Sequence, residues 1–148
     1  MKENQNLFRD LQEDFRKMKK NLLVAQSGGP TAAINATLAG VIKQAIKEEQ
    51  IDQVYGACYG IQGVLEQKFV NLTEKVDTEE KLEKLKRTPA AALGSCRFKL
   101  NDIKEDDSQY QEIVDILHKM NIGYFVYIGG NDSMDTVAKL SAYCKEKG

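Results

Sequence analysis

The sequence predicts an α/β protein: a three-layer, doubly wound fold around a mainly parallel sheet. Three observations carry that expectation. Short apolar runs alternate with longer stretches of helical period, the pattern of a parallel sheet covered on both faces. Two of those runs end in paired glycines that open onto a helix: Gln26-Ser27-Gly28-Gly29-Pro30-Thr31 and Ile128-Gly129-Gly130-Asn131-Asp132-Ser133. The hydrophobic content, 42% of 148 residues, is enough for a core.

The elements follow in order. Residues 1–18 are polar, with Leu7, Phe8, Leu11, Phe15 and Met18 at helical spacing, and read as an amphipathic N-terminal extension. Such a helix is either an arm for a partner or, more commonly, a loosely packed extension. Met18 stands where a chain start would also fall, so residues 1–17 are expected to be dispensable. Residues 19–148 are expected to form the α/β domain. Asn21–Gln26 is a short strand, and Ala32–Glu49 a helix with Ile34, Leu38, Val41, Ile42 and Ala45 on its apolar stripe. Val54–Tyr59 is a second strand, ending in Gly60-Ile61-Gln62-Gly63, and Lys68–Leu72 a short edge strand. Thr78–Arg87 is a charged helix with Leu82 and Leu85 inward. Pro89–Phe98 is too rich in small and turn-prone residues for a helix. Ser108–Met120 is an amphipathic helix, Gly123–Ile128 the most apolar strand, and Ser133–Lys147 the last helix.

Composition excludes several classes. A net charge of -1 disfavours non-specific binding to nucleic acid or a membrane surface. No apolar run approaches a membrane span, and the N-terminus lacks the apolar segment of a signal peptide. Cys58, Cys96 and Cys144 are odd in number and widely spaced, which suits a reducing, cytoplasmic setting rather than a disulfide framework. With His118 the single histidine, a Cys/His zinc site is not expected.

The two glycine turns carry the chemistry. Gly28 and Gly29 let a ligand approach the backbone, Pro30 suits a helix start and Thr31 can cap it. A turn of this kind presents N–H groups to an anion, although Gly-Gly alone is more often an ordinary β–α connection. At the second turn Asn131, Asp132 and Ser133 place an amide, a carboxylate and a hydroxyl at a helix mouth, where simple capping is as common as ligand binding. Two such turns in one chain favour phosphate chemistry. Arg97, in Gly94-Ser95-Cys96-Arg97, offers a planar fork of donors that suits phosphate, although on its own a surface arginine is the commoner case. Cys96 reads as a packing residue, His118 as a surface residue, and Glu105-Asp106-Asp107 as a solvated lead into a helix.

Taken in order, SGGPTAAIN, LGSCRF and IGGNDSMDT resemble the N-terminal part of a 6-phosphofructokinase over about residues 19–148. The resemblance implies a doubly wound fold that is truncated here, with phosphoryl transfer to fructose 6-phosphate, Mg²⁺ as cofactor and a homo-oligomeric parent. It implies donor phosphates held at Gly28, Gly29 and Ser133, and Arg97 as the catalytic cation beside donor and substrate. Asn131, where many relatives carry the Mg²⁺-associated aspartate, would act on the metal through water. Asp132 stands where ATP-using relatives have glycine and pyrophosphate-using relatives aspartate, so the chain is similar to the pyrophosphate-dependent branch. A carboxylate there blocks and repels the α-phosphate of ATP, whereas pyrophosphate ends short of it. Pro30-Thr31 in place of Asp-Ala agrees. Ala39, where bacterial ATP enzymes carry an effector-binding arginine, implies that this allosteric control is absent. An ATP-dependent enzyme and a non-catalytic phosphate-binding module are the alternatives. The family's TIDND-like segment, with the base that activates the sugar hydroxyl, lies beyond residue 148, so this chain alone is expected to show no turnover.

Overall fold

Five consecutive buried residues, Leu22 to Gln26, make the first strand the spine of the sheet. The computed structural model describes residues 2–27 and 32–147. Its elements run α1 (Lys2–Met18), β1 (Lys20–Gln26), α2 (Ala32–Lys47), β2 (Ile51–Ala57), α3 (Gly60–Leu65), β3 (Phe69–Asn71), α4 (Leu72–Lys75), α5 (Glu79–Arg87), α6 (Ser108–Lys119), β4 (Ile122–Ile128) and α7 (Asn131–Lys147). The sheet order is β3-β2-β1-β4. β1 is parallel to both neighbours, with Val24 opposite Gly56 on one side and Val126 on the other. Short β3 pairs antiparallel to β2 and closes that edge.

Strand alternation sorts the core into two layers. Leu22 and Val24 pack with Leu38, Ile42 and Ala45 of α2 and with Leu72 and Leu93. Leu23 and Ala25 point the other way, onto Ile61 and Val64 of α3, Ile113 and Ile116 of α6, and Leu140 and Tyr143 of α7. Each fully buried aliphatic side chain contributes about 1.5–3 kcal/mol, so both helical layers are held to the sheet chiefly by these contacts. Leu82 and Leu85 of α5 pack partly buried on the α2 side. That helix opens on a capping bond, Thr78 Oγ1 accepting from the Lys81 N–H at 3.2 Å, and ends in basic residues that suit its dipole.

Several boundaries differ from the sequence reading: α2 ends at Lys47 rather than Glu49, β2 at Ala57 rather than Tyr59, and Leu72, expected in the edge strand, opens α4. Gly60–Gly63, given no element in the sequence reading, opens the helix α3, and the bare Cα of Gly63 seats on the Cys58 carbonyl, where any Cβ would collide. β2 begins at Ile51, three residues earlier than expected, and α7 begins at Asn131, which puts Asn131 and Asp132 inside its first turn. In α1, Leu7, Phe8, Leu11 and Met18 are all exposed. No helix among the described residues is long and apolar enough to cross a membrane. Cys58, Cys96 and Cys144 are free thiols.

Candidate functional site

β1 is followed by α2 on one face of the sheet and β4 by α7 on the other, so the chain departs in opposite directions from adjacent parallel strands. Side chains beyond the carboxyl ends of such strands have room to converge. A cleft of about 770 Å³ lies there, lined by Ser27 at the end of β1, by residues 95–99, by Tyr127 of β4, and by Gly130–Ser133 opening α7.

Four of the residues singled out in the sequence meet in this cleft. Arg97 is exposed on one wall; Asn131 and Asp132, also exposed, stand on the other. Ser133 is 3% exposed and its hydroxyl lies against Gly129. Gly28, Gly29, Pro30 and Thr31 lie outside the described residues. Gly129 is required by close approach: a Cβ there would collide with Ser133 Oγ and stand 2.9 Å from the Ser27 carbonyl oxygen. Gly130 has nothing within 4 Å of that position, so the protein's own atoms do not demand a glycine there.

Sequence reading missed Lys99, Ser27 and Tyr127. Lys99 is a second cation in the cleft, with Nζ 4.0 Å from Asp132 Oδ1. Both side chains are mostly exposed, so the pair is worth about 0–1 kcal/mol and leaves each group available to a ligand. Its signal in the sequence was a basic residue two positions beyond Arg97. The Tyr127 hydroxyl accepts the Ile61 N–H at 3.1 Å, and burial pushes it above its ordinary tyrosine value, so it stays a neutral phenol.

The wall that carries Arg97 is an irregular strap, residues 88–97, which makes one internal turn bond, Gly94 N–H to the Ala91 carbonyl at 3.0 Å, and draws further backbone bonds from outside it. Two buried amides supply most of them. Asn35 of α2 donates from Nδ2 to the Thr88 carbonyl at 2.7 Å and to the Ala90 carbonyl. Its Oδ1 accepts the Ala92 N–H at 2.9 Å and Gln26 Nε2–H at 3.1 Å. Gln26 Oε1 accepts the Leu93 N–H at 2.9 Å, and its Nε2 also donates to the Ile34 carbonyl at 3.2 Å. The Tyr59 N–H donates to the Leu93 carbonyl at 2.8 Å, and Ser27 Oγ to the Cys96 carbonyl at 3.2 Å. The strap includes two left-handed residues, Ala90 at φ 64° and Gly94 at φ 76°. For alanine that conformation costs about 1–2 kcal/mol, which the surrounding hydrogen bonds offset.

Chemically, the cleft joins two cations, a helix N-terminus and one carboxylate. That set has the chemistry to suit a phosphate-bearing anion. Among the described residues no group of three or more His, Cys, Asp or Glu could cage a metal. One amide and one carboxylate fit an ion that arrives hydrated on phosphate oxygens, as Mg²⁺ usually does.

Fold and cleft together define a doubly wound α/β protein with a polar cleft at its topological switch point. The phosphofructokinase family model matches residues 21–146, and the chain belongs to that family. It is 44% identical over 123 residues to the pyrophosphate–fructose 6-phosphate 1-phosphotransferase of Rhodospirillum rubrum, covering 83% of this chain and 29% of that protein. It is 40% identical over 129 residues to the enzyme of the same name from Halomonas elongata, covering 86% of this chain and 30% of that protein. The crystal structure of a pyrophosphate-dependent phosphofructokinase from Nitrosospira multiformis superposes with a TM-score of 0.78 at 38% identity, over 87% of this chain and 31% of that one. The chain thus spans about 30% of the length of these relatives.

Proposed function

We propose that this chain is the donor-binding part of a pyrophosphate-dependent 6-phosphofructokinase, which transfers a phosphoryl group from pyrophosphate to fructose 6-phosphate in a cytoplasmic setting. The observation that carries this reading is the convergence of Arg97, Lys99 and the α7 N-terminus on one cleft with Asp132 at its mouth. Arg97 binds the transferred phosphoryl group bidentately and offsets its developing charge. Gly28, Gly29 and Ser133 hold donor phosphates. Asn131 orients water on Mg²⁺, which supplies charge neutralisation when it arrives with the donor. Asp132 is the residue that selects the donor: its carboxylate occupies the path an ATP α-phosphate would take. The relatives' names, given above, support the same donor.

The test is a calorimetric titration of the chain with magnesium pyrophosphate and with magnesium ATP, repeated on Asp132→Gly. Pyrophosphate is expected to bind and ATP not. Asp132→Gly is expected to bring ATP binding into range at little cost to pyrophosphate. Tighter binding of ATP by the unchanged chain would reverse the donor assignment. ATP binding that stays absent in Asp132→Gly would show that the carboxylate is not what excludes it.

A further inference from the structure

We propose that Gln26 and Asn35 are positioning residues for the phosphate site: a bonded pair of buried amides that holds the strap carrying Arg97 in the one conformation that aims it into the cleft. This rests on the reading of Arg97 as a phosphate ligand.

Both amides are fully buried, Gln26 at the end of β1 and Asn35 in the first turns of α2. Burying amides is costly unless every polar atom is paired, and apolar side chains of the same volume would hold strand to helix without that demand. Here each amide is paired, and four of the bonds go to backbone groups of the strap: the carbonyls of Thr88 and Ala90 and the N–H groups of Ala92 and Leu93. Those are groups that helix or sheet would normally satisfy, and the strap has neither. The pair therefore does the work of a sheet partner for an irregular segment. Its orientation is unambiguous. Reversing the Asn35 amide would set its NH₂ against the Ala92 N–H and the Gln26 NH₂, and its oxygen against two carbonyls. Beyond Leu93 the anchors are the Ser27 hydroxyl on Cys96, immediately before Arg97, and the Tyr59 N–H on the Leu93 carbonyl. Loosening the amide pair frees the left-handed turns at Ala90 and Gly94 to relax, and Arg97 moves with them.

The test compares hydrogen exchange and magnesium pyrophosphate affinity in the unchanged chain, Asn35→Asp and Gln26→Glu. Asn35→Asp keeps an acceptor for Ala92 and loses both donors; Gln26→Glu keeps the acceptor for Leu93 and loses its donor to Asn35. In the unchanged chain the Ala92 and Leu93 amides are expected to be as protected as those of β1. In the variants, exchange across 88–97 is expected to rise while β1 and β4 stay protected. Affinity is expected to fall about tenfold, and Arg97→Ala added to either variant should lower it little further. Free exchange of Ala92 and Leu93 in the unchanged chain would overturn the proposal even if neither variant folds. So would a loosened strap with unchanged affinity where Arg97→Ala alone weakens binding. If Arg97→Ala alone leaves affinity unchanged, the phosphate reading of Arg97 fails and this role fails with it; the exchange data then still decide whether the amides hold the strap.

Discussion

Gly129→Ala is expected to lose both stability and ligand affinity, while Gly130→Ala one residue later loses only affinity. A methyl at Gly129 collides with the Ser133 hydroxyl and presses on the Ser27 carbonyl, a backbone atom that cannot step aside. Relief requires the start of α7 to move away from the end of β1, and that is the same displacement that opens the cleft. Overpacking of this kind costs about 1–3 kcal/mol, a fall of about 5 °C in Tm for a domain of this size. At Gly130 the space is open, so alanine leaves Tm unchanged and reports only on what the ligand needs. Thermal unfolding with and without magnesium pyrophosphate separates the two. Equal Tm losses in both variants would contradict this account of the turn.

Arg97→Ala is expected to weaken magnesium pyrophosphate binding about 30-fold with Tm unchanged, the effect of removing a charged, two-pronged hydrogen-bond donor from an exposed position. Arg97→Lys should fall between, because it restores charge without the planar fork. Lys99→Met should cost less than Arg97→Ala, since an ammonium 4.0 Å from Asp132 divides its interaction between that carboxylate and the ligand. Titration calorimetry ranks the three variants. A loss at Lys99 exceeding that at Arg97 would reassign the principal phosphate ligand.

The sequence made the layers legible because period and burial coincide: Leu22, Leu23, Val24 and Ala25 form one unbroken apolar run, and a strand buried on both faces needs one. It singled out Asn131 and Asp132 because they follow a glycine turn at a helix mouth, whereas Arg97 stood out only through the family resemblance of LGSCRF. It concealed α3, since glycines at 60 and 63 weaken any helical signal. Their reasons are tertiary: Gly63 sits on the Cys58 carbonyl, and a Cβ at Gly60 would stand 2.8 Å from the Tyr127 hydroxyl. It concealed Asn35 as well. An amide beside an apolar helical stripe carries no signal of its own, and its partners in the strap lie more than fifty residues away. Lys99 was hidden in the same manner, because its pairing with Asp132 exists only once α7 is docked.

The pairing of β1 with β4 also sets an order of assembly. β1 meets β2 across a gap of about thirty residues, but meets β4 across about a hundred. Closing the longer loop costs more entropy and belongs later in folding. A chain with β1, α2 and β2 formed already has half a sheet and no cleft, for the wall built by α7 arrives with β4. On the proposed function, pyrophosphate is therefore expected to find its cleft only once that contact is made, and its binding to draw the equilibrium toward the completed fold. Ligand-induced protection from unfolding is thus expected to report on chains in which β4 and α7 have docked, which a signal from β1, α2 and β2 alone does not.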